Sequence, residues 1–530
     1  MSNLDFKKFK SFNELSHDDI SRTYTSIGRI ETVKQTSGPT LMILMDSTQS
    51  FTFKAFIKPG ERAFPECDLG DVVEVEYRVS ERQGSIEGEV RSMKKISQEH
   101  VDSFEKYIEE QEEERFKAED VGFSIQSPVL EALSPRFLKV ATIIRKAVAQ
   151  RRPIILRHDA DCDGYSSAIC LERAILRFMD ECTGGDINAR YNLFRRAPSR
   201  APFYEYEDAV KDVSMMLKDM VKNGAKEPLV IVTDNGSTNE DIFAYKQMKL
   251  YNCPIVVIDH HYPGEKDEKG NVEVDYFIDG HINPYLEGFD SNVCSGMLGY
   301  ELARFIYKEN TNSVMIPAMA GLLDHVDGLE LQTYVELANK EGYTNEFMEK
   351  LGDLIYLQSH YMRFGEAREF FDDIFGNNLM VQKEIVNLVY PEIEKLYDKT
   401  RKIGKQYARV EDFGPFYVIQ FDGERGTARG QYPAVGKSTN LIHAMFEEEL
   451  DKPVITMTSG STFLTIRVGD DVKGLSIPEF CTEILNKNLS HTGAEGGGHE
   501  HAGSVKFVEY AREEVIGSFL NYIKSISKLN

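Results

Sequence analysis

The sequence predicts an α/β protein in which a mostly parallel sheet is preceded by a small β-barrel and followed by a smaller α/β domain. Five short alternating runs, separated by turn residues, fill residues 22–97, and this spacing is typical of a small barrel. Between residues 153 and 261, three short runs rich in Ile and Val end in acidic residues, as buried parallel strands do. Beyond about residue 410, β runs alternate with helical segments, which predicts the last domain.

Length and composition indicate a folded protein of several domains. The chain has 530 residues, 41% of them hydrophobic, which allows about three or four domains. No stretch approaches the ~20 apolar residues of a membrane helix, and the N-terminus carries no apolar signal segment. The seven cysteines form no CxxC pair, which argues against a zinc ribbon or a disulfide framework. We therefore expect a protein of the reducing cytoplasm with no membrane partner.

The formal net charge of −24 counts against a protein that coats duplex DNA electrostatically. It does not exclude a nucleic-acid enzyme in which divalent cations and a local basic groove contact the phosphates. Part of the acidity lies in residues 99–120, where acidic side chains far outnumber basic ones. This segment is predicted to be a solvated helix or linker.

The N-terminal strands favour an oligonucleotide/oligosaccharide-binding (OB) barrel over other small barrels. Phe51, Phe53 and Phe56 in the third run are candidates for stacking on bases, and the alternative is that they fill the barrel. The predicted strands are Tyr24–Thr32, Thr40–Asp46, Phe51–Ile57, Asp71–Val79 and Ser85–Met93.

The central domain is predicted from apolar runs at 153–156, 229–234 and 254–261. Each run is too short for a helix, and helical segments lie between the runs, as in βαβ units. The functional crevice of such a sheet lies beyond the carboxyl ends of its strands. The acidic residues that end these runs should therefore face one crevice.

Helical periodicity dominates residues 331–405, and β runs return at 416–421, 453–458, 462–468 and 504–510. The predicted domains are an OB-like nucleic-acid-binding domain (1–97), an acidic helical linker (98–135), a catalytic domain (136–330), a helical connector (331–405) and a substrate-binding domain (406–530).

Three aspartates at alternate positions, Asp159, Asp161 and Asp163, directly follow the first buried run. Carboxylates this close repel one another and raise one another's pKa values unless a cation holds them. Asp234 and the cluster 259–261 (Asp-His-His) follow the neighbouring runs. Carboxylates with a few imidazoles favour Mn²⁺, or else Mg²⁺, over metals that prefer thiolate ligands. This many ligands favours two ions about 3.5–4 Å apart. One such aspartate alone would more simply be a helix cap or turn residue.

The series DADCDG (159–164), TDNG (233–236) and DHH (259–261) resembles the motifs of DHH phosphoesterases, which include RecJ-like exonucleases, oligoribonucleases and manganese pyrophosphatases. Asp324 in GLLDHVDG resembles the fourth motif better than Asp327 does. The run GGGHEHAG (496–503) is similar to the glycine-rich signature of the DHH-associated C-terminal domain, which grips the substrate's phosphates in that family. The resemblance covers about residues 150–525.

The resemblance also implies which residues bind metal. Asp161 and Asp163 would bind different ions, and Asp234 would bridge them. His260 and Asp324 would complete the shell of one ion.

Other roles at the same site follow from the resemblance. His261 would contact the scissile phosphate, and Asp259 would support the site as a ligand or from behind the ligands. Asp159 would be a further ligand, at a position where relatives vary. Some relatives place a histidine where this chain has Arg157 beside His158, which leaves one metal's coordination open and points towards the RecJ-like branch.

Residues of the last domain are predicted to bind substrate. The backbone N–H groups of Gly496, Gly497 and Gly498 can approach an anion closely, and His499 can donate to a phosphate oxygen. The alternative is a flexible turn. Arg467 resembles the family's phosphate-binding arginine, with a surface strand residue as the alternative.

The stretch from Arg190 to Arg196, extended by Arg200, mixes arginines with aromatic rings. Such a mixture suits a path for single-stranded nucleic acid. A solvated loop or a protein-binding edge would give the same pattern.

We expect a metal-dependent exonuclease acting on single-stranded DNA or RNA, in repair, replication or nucleic-acid turnover. The barrel, the helical connector and the DxDxDG form of the first motif favour it over a phosphodiesterase of oligonucleotides or cyclic dinucleotides, or a pyrophosphatase. A second hypothesis is a replisome scaffold with a DHH fold, which the complete ligand set disfavours. A replication or repair protein partner is compatible with both. Barrel-first order resembles archaeal proteins, while polarity and the choice between DNA and RNA stay open.

Overall fold

The computed structural model describes residues 6–82, 84–199, 201–223, 226–309, 311–362, 368–426, 430–485, 487, 489–498 and 501–527. The chain divides into two compact units, Met1–Met348 and Glu349–Asn530. The first unit contains the barrel and a parallel sheet, and the second contains a mixed sheet. No helix in the described ranges is long and apolar enough to cross a bilayer.

A closed five-stranded barrel opens the first unit, with strands β1 (Thr23–Gln35), β2 (Thr40–Met45), β3 (Ser50–Ala55), β4 (Val72–Arg82) and β5 (Ser85–Lys95). The strand order around the barrel is β1-β2-β3-β5-β4. All neighbours are antiparallel except β3 and β5. Phe53 and Tyr77 are fully buried at its centre, with ring centroids 4.9 Å apart. This is the OB-like barrel that the sequence predicts.

The phenylalanines of β3 divide between the barrel interior and the surface. Phe51 and Phe53 are 6% and 0% exposed, and both rings pack against Phe12. The two alternate positions share the inner face of the strand. The prediction that these two rings stack on bases is therefore wrong. The alternative, that they fill the barrel, is confirmed. Phe56, just beyond β3, is 61% exposed.

The acidic segment forms α1 (Gln98–Arg115), which is anchored to the barrel. Phe104 and Ile108 lie on one face of the helix, are buried, and pack with Ile27 and Val72. The segment is therefore not solvated on all sides.

A five-stranded sheet follows, made of β6 (Ile154–His158), β7 (Phe194–Pro198), β8 (Leu229–Thr233), β9 (Ile255–Ile258) and β10 (Gly280–Ile282). All its strands are parallel, in the order β10-β9-β8-β6-β7. The three predicted runs are the adjacent strands β6, β8 and β9, and each is buried throughout. The edge strands β7 and β10 are not among the predicted strands.

Helices connect and flank the strands of this sheet. They are α2 (Pro128–Ala149), α3 (Cys162–Thr183), α4 (Ile187–Leu193), α5 (Tyr206–Asn223), α6 (Ile242–Lys249), α7 (Ser295–Ile306) and α8 (Met315–Leu323). The region of predicted helical connector holds α9 (Leu329–Lys340), α10 (Asn345–Met362), α11 (Arg368–Ile374) and α12 (Leu379–Tyr407).

The second unit is built on six strands, β11 (Arg409–Asp412), β12 (Tyr417–Asp422), β13 (Val454–Ser459), β14 (Phe463–Val468), β15 (Glu495–Gly498) and β16 (Ala502–Lys506). Their order is β11-β12-β13-β14-β16-β15, and only β12 and β13 pair in parallel. The helices of this unit include α13 (Gly423–Gly426), α14 (Val435–Glu449), α15 (Ile477–Glu479) and α16 (Arg512–Ser527). The β11 and β15 strands are not among the predicted runs.

Candidate metal centre

The acidic motifs meet because their strands are neighbours in register. His158 at the end of β6 pairs with Thr233 of β8, which pairs with Ile258 of β9. Each motif starts at the residue that follows its strand: Asp159, Asp234 and Asp259. Since parallel strands point the same way, these residues lie at one edge of the sheet.

Candidate ligand atoms form three overlapping clusters, in each of which all atoms lie within 4.8 Å of one another. The clusters are Asp159, Asp161 and Asp234; Asp163, His260 and Asp324; and Asp234, His260 and His261. Asp234 and His260 each belong to two clusters. The clusters thus put Asp161 and Asp163 in separate groups, and Asp234 shares one cluster with Asp161 and another with His260.

The first motif is held by the N-termini of two helices. Asp161 caps α3 and accepts a hydrogen bond from the Gly164 backbone N–H at 3.0 Å. Asp163 accepts from the backbone N–H groups of Ser295 and Gly296 at 2.9 and 2.8 Å, at the start of α7. The helix-cap role considered for one aspartate is therefore real for Asp161, and it coexists with membership of a ligand cluster.

Glycine is required at position 164 because the backbone crowds it. A Cβ added there would lie 2.4 Å from the carbonyl oxygen of Asp159. The DxDxDG spacing therefore folds tightly enough to bring its three carboxylates to one place.

His260 is oriented from behind. Its Nδ1 donates to the Ser291 carbonyl at 2.9 Å, so its Nε2 faces the carboxylates. Nε2 lies 3.5 Å from Asp234, 3.7 Å from Asp324 and 3.8 Å from Asp163. Burial and the neighbouring His261 lower the pKa of His260, which favours the neutral imidazole that binds metal.

Asp259 lies behind the ligands rather than among them. One oxygen accepts from the His260 and His261 backbone N–H groups and from His261 Nδ1 at 2.7 Å. The other accepts from the Ser237 backbone N–H at 3.0 Å. Burial alone would raise the pKa of Asp259, but His261 and His260 lower it, so this carboxyl stays ionised. Asp259 therefore fixes the loop that presents both histidines.

The carboxylates around His261 favour its protonated form when no metal ion is bound. Burial opposes its charge, but Asp259 raises its pKa to about 10, with help from Asp324 and Asp159. A protonated imidazole at the edge of the cluster has the charge needed to contact a phosphate oxygen.

The carboxylates themselves are under strong mutual repulsion. Burial, then Asp163 and Asp161, raise the pKa of both Asp234 and Asp324 well above the ordinary value. Burial and Asp161 raise the pKa of Asp159 to about 7. Asp234 also has a left-handed backbone, with φ of 57°, which is uncommon outside glycine and is often found at functional sites. A divalent cation would relieve this repulsion, and oxygen donors with imidazole fit Mn²⁺ or Mg²⁺.

Of the two candidates for the fourth motif, Asp324 lies in a cluster and Asp327 does not. Asp324 ends α8, whereas Asp327 is exposed and its backbone N–H donates to Asn292 at 2.9 Å.

Arg157 and His158 lie next to the site but outside the clusters. Arg157 forms a two-pronged ion pair with Asp212 at 2.6 and 3.0 Å and contacts Asp208 at 3.4 Å. His158 Nδ1 donates to the Asp159 carbonyl at 2.6 Å, and Arg196 Nη1 lies 3.5 Å from its Nε2. The imidazole of His158 therefore supports the backbone of the first motif.

The sequence did not indicate Asn283, whose side chain braces the Asp-His-His loop. Asn283 donates to the carbonyl of His261 at 2.9 Å and to the hydroxyl of Ser237 at 3.0 Å. Asn283 follows β10, a strand that sequence patterns did not predict, so no signal pointed to it.

In the second unit, Arg467 lies on β14 and is largely buried. Its guanidinium contacts Asn440 of α14 and the Ile466 carbonyl, and it forms no ion pair with any described residue. Burial lowers its pKa to about 10, so it remains charged. A buried cation of this kind is available to an anion.

The glycine run is an edge strand rather than a loop. Gly496, Gly497 and Gly498 belong to β15 and pair with Val505, Ser504 and Gly503 of β16. His499 lies outside the described residues.

The basic stretch is mostly structural. Arg190 is bound to Asp180, with Nε at 2.8 Å, and buried Arg196 is bound to Glu172 at 2.5 Å. The last residues of the stretch form the edge strand β7, and Arg200 lies outside the described residues. The solvated loop is therefore wrong. The path for single-stranded nucleic acid and the protein-binding edge both stay predictions.

Comparisons with known proteins agree with this geometry. Residues 153–323 match the DHH family, N-terminal domain. An uncharacterised protein of Methanocaldococcus jannaschii is 37% identical over 521 residues, which are 94% of this chain and 68% of the relative.

Solved structures share the fold. One, described as the DHH domain of a member of the S1p family of ribosomal proteins, is 36% identical with a TM-score of 0.77, over 81% of this chain and 99% of that one. RecJ from Thermus thermophilus, solved in complex with Mn²⁺, is 15% identical with a TM-score of 0.50, over 78% of this chain and 57% of that one.

Proposed function

The chain belongs to the DHH family of phosphoesterases, and from this premise we propose that it is a metal-dependent exonuclease that hydrolyses phosphodiester bonds of single-stranded DNA or RNA. The convergence of five carboxylates with two histidines in three overlapping ligand clusters carries this proposal. Such a donor set has no use in a purely structural role, because the carboxylates destabilise one another when no cation is bound.

We assign Asp163, His260 and Asp324 to one ion and Asp159 and Asp161 to the other, with Asp234 shared. Mn²⁺ or Mg²⁺ at these positions would supply an activated water and would neutralise charge on a phosphoryl oxygen. A solved RecJ structure was determined with Mn²⁺, which supports this choice of ion.

The protein's own groups do the positioning. Protonated His261 is proposed to donate to a non-bridging oxygen of the scissile phosphate, and Asp259 holds its ring in place at 2.7 Å. Arg467, the backbone of Gly496–Gly498 and His499 are proposed to bind other phosphates of the strand. The charge of Arg467, which no described residue neutralises with an ion pair, supports its part in this.

The OB-like barrel favours a polymeric substrate over pyrophosphate or a cyclic dinucleotide, since barrels of this type hold single strands. The scaffold hypothesis is disfavoured by the complete ligand clusters. Binding of a replication or repair protein would be compatible with the exonuclease.

A substrate panel tests the proposal. DNA and RNA 20-mers, labelled at the 5′ or the 3′ end, are offered with Mn²⁺ beside a dinucleotide, a cyclic dinucleotide and pyrophosphate. We expect stepwise loss of nucleotides from one end of a 20-mer, and the label position gives the polarity. Preferential hydrolysis of pyrophosphate or the cyclic dinucleotide would contradict the exonuclease and support a small-substrate enzyme.

A further inference from the structure

The barrel contacts the end of the parallel sheet that lies away from the carboxylates. Arg151, which precedes β6, donates to the hydroxyl of Ser50 at 3.0 Å. Lys226, which precedes β8, lies 2.6 Å from the carboxylate of Glu31 in β1. The acidic motifs follow the same strands at their other ends. Five residues of β6 at ~3.3 Å each separate the two ends by roughly 16 Å.

A cavity of about 150 Å³ opens beside this junction, where β7 begins. Its polar lining is Tyr191, Asn192, Arg195, Asp219 and Lys226. A cavity of this volume is large enough for one ring-sized group.

Tyr191 and Arg195 line the cavity, and neither is held by an ion pair within the described ranges, unlike Arg190 and Arg196. Tyr191 is 78% exposed. The guanidinium of Arg195 contacts the sulfur of Met215, and Arg195 forms no ion pair within the described ranges. An exposed ring beside a guanidinium group is the combination that binds a base and its phosphate in single-strand sites.

A single strand of the sheet joins this cavity to the carboxylates. Phe194 of β7 pairs with Ile154 at the cavity end, and Pro198 pairs with His158, next to Asp159. The direction of β7 therefore leads from the cavity towards the candidate metal centre.

We propose that this cavity is a second contact for the single-stranded substrate, with a base on Tyr191 and a phosphate at Arg195. At ~3.4 Å per stacked nucleotide, the 16 Å span places this contact about five nucleotides from the scissile bond. Asp219 accepts from a base amino group and keeps the phosphate on the Arg195 side. The inference rests on the proposed function and specifies its substrate class: oligonucleotides longer than about five nucleotides.

Length dependence tests this contact. Binding of a fluorescent 20-mer is measured by anisotropy in EDTA, and kcat/KM is measured for the 20-mer and a dinucleotide with Mn²⁺. Tyr191→Ala and Arg195→Gln should each weaken 20-mer binding about tenfold and lower the 20-mer to dinucleotide kcat/KM ratio similarly, as loss of one stacked base or phosphate contact does. Tyr510→Ala, which truncates an equally exposed tyrosine in the second unit, is the matched control and should change neither.

The outcomes separate the two proposals. Wild-type binding and ratio in both cavity variants would overturn the second contact and leave the exonuclease standing. If the wild type binds the 20-mer, Tyr191→Ala weakens that binding and no hydrolysis occurs, the contact is supported and the exonuclease proposal is contradicted. A wild-type protein that neither binds nor cuts the 20-mer would overturn both.

Discussion

Two groups of buried charges belong to the same parallel sheet, and they are neutralised differently. Arg157 of β6 and Arg196 of β7 have carboxylate partners from the surrounding helices, Asp212 and Glu172. Two residues after Arg157, the carboxylates of the metal centre begin, and no Lys or Arg among the described residues pairs with them. The first group holds the fold together, whereas the second would be neutralised by the metal ions that we propose.

The largest expected effect is on catalysis. Asp234→Asn keeps the shape of the side chain and tolerates the left-handed backbone, but it removes the charge shared by two clusters. We expect hydrolysis to fall by at least about 1,000-fold, on the scale of losing a group that acts only in the transition state. Single-turnover rates with Mn²⁺ measure this, with Asp327→Asn as the matched control. An active Asp234→Asn protein would contradict the bridging role.

Loss of a buried arginine of the first group should instead lower the stability of the fold. Arg157→Met leaves Asp212 and Asp208 buried without their cation, so the free energy of unfolding should drop by about 3–5 kcal/mol. Urea denaturation measures the change. Arg401→Met, at the exposed pair with Asp398, is the control and should change stability little. An equal loss of free energy of unfolding in both variants would contradict a special structural role for the buried ion pairs.

Binding of Mn²⁺ to the carboxylates of the candidate metal centre should stabilise the folded protein. Mn²⁺ at a free concentration of 100 times its Kd should add about 2.7 kcal/mol per site that binds only the folded state. Differential scanning calorimetry in EDTA and in Mn²⁺ gives the shift in Tm. The shift should shrink in Asp234→Asn, and an unchanged shift would place the ions elsewhere.

A pH dependence is expected for the metal-free protein. Burial and Asp161 raise the pKa of Asp159 from 3.8 to about 7, so the folded state binds this proton more tightly than the unfolded state. The stability that this proton contributes is complete below about pH 4 and is lost as the pH rises to about 7. Urea titrations in EDTA should show a steeper loss over this range in the wild type than in Asp159→Asn. The same dependence of stability on pH in both proteins would contradict the repulsion between Asp159 and Asp161.

Strand patterns in the sequence were enough to predict the strands that carry the site. The runs before Asp159, Asp234 and Asp259 are buried on both faces and therefore read as continuous apolar segments. Parallel pairing of these three strands is then enough to bring the aspartates that follow them to one edge of the sheet. The closed barrel was predictable for a related reason, since its alternating strands are separated by clear turn residues.

The sequence could not show what depends on distant pairing. Strand β7 reads as a basic loop because the partner that allows Arg196 to be buried, Glu172 of α3, is distant in the sequence. The glycines of β15 give no strand signal because they have no side chains to alternate. Alternation puts Phe51 and Phe56 on opposite faces of one predicted run, and only the barrel's closure decides which face is the inner one.

The hydrogen bonds that hold Asp163, Asp259 and His260 come from backbone groups of the fold itself. These ligands and their support are thus fixed before any ion arrives, and loading the centre costs little conformational entropy. Exchange of Mg²⁺ for Mn²⁺ should therefore alter the reaction rate through ion size and hydration, while the amide hydrogen-exchange pattern around α3 and α7 stays the same.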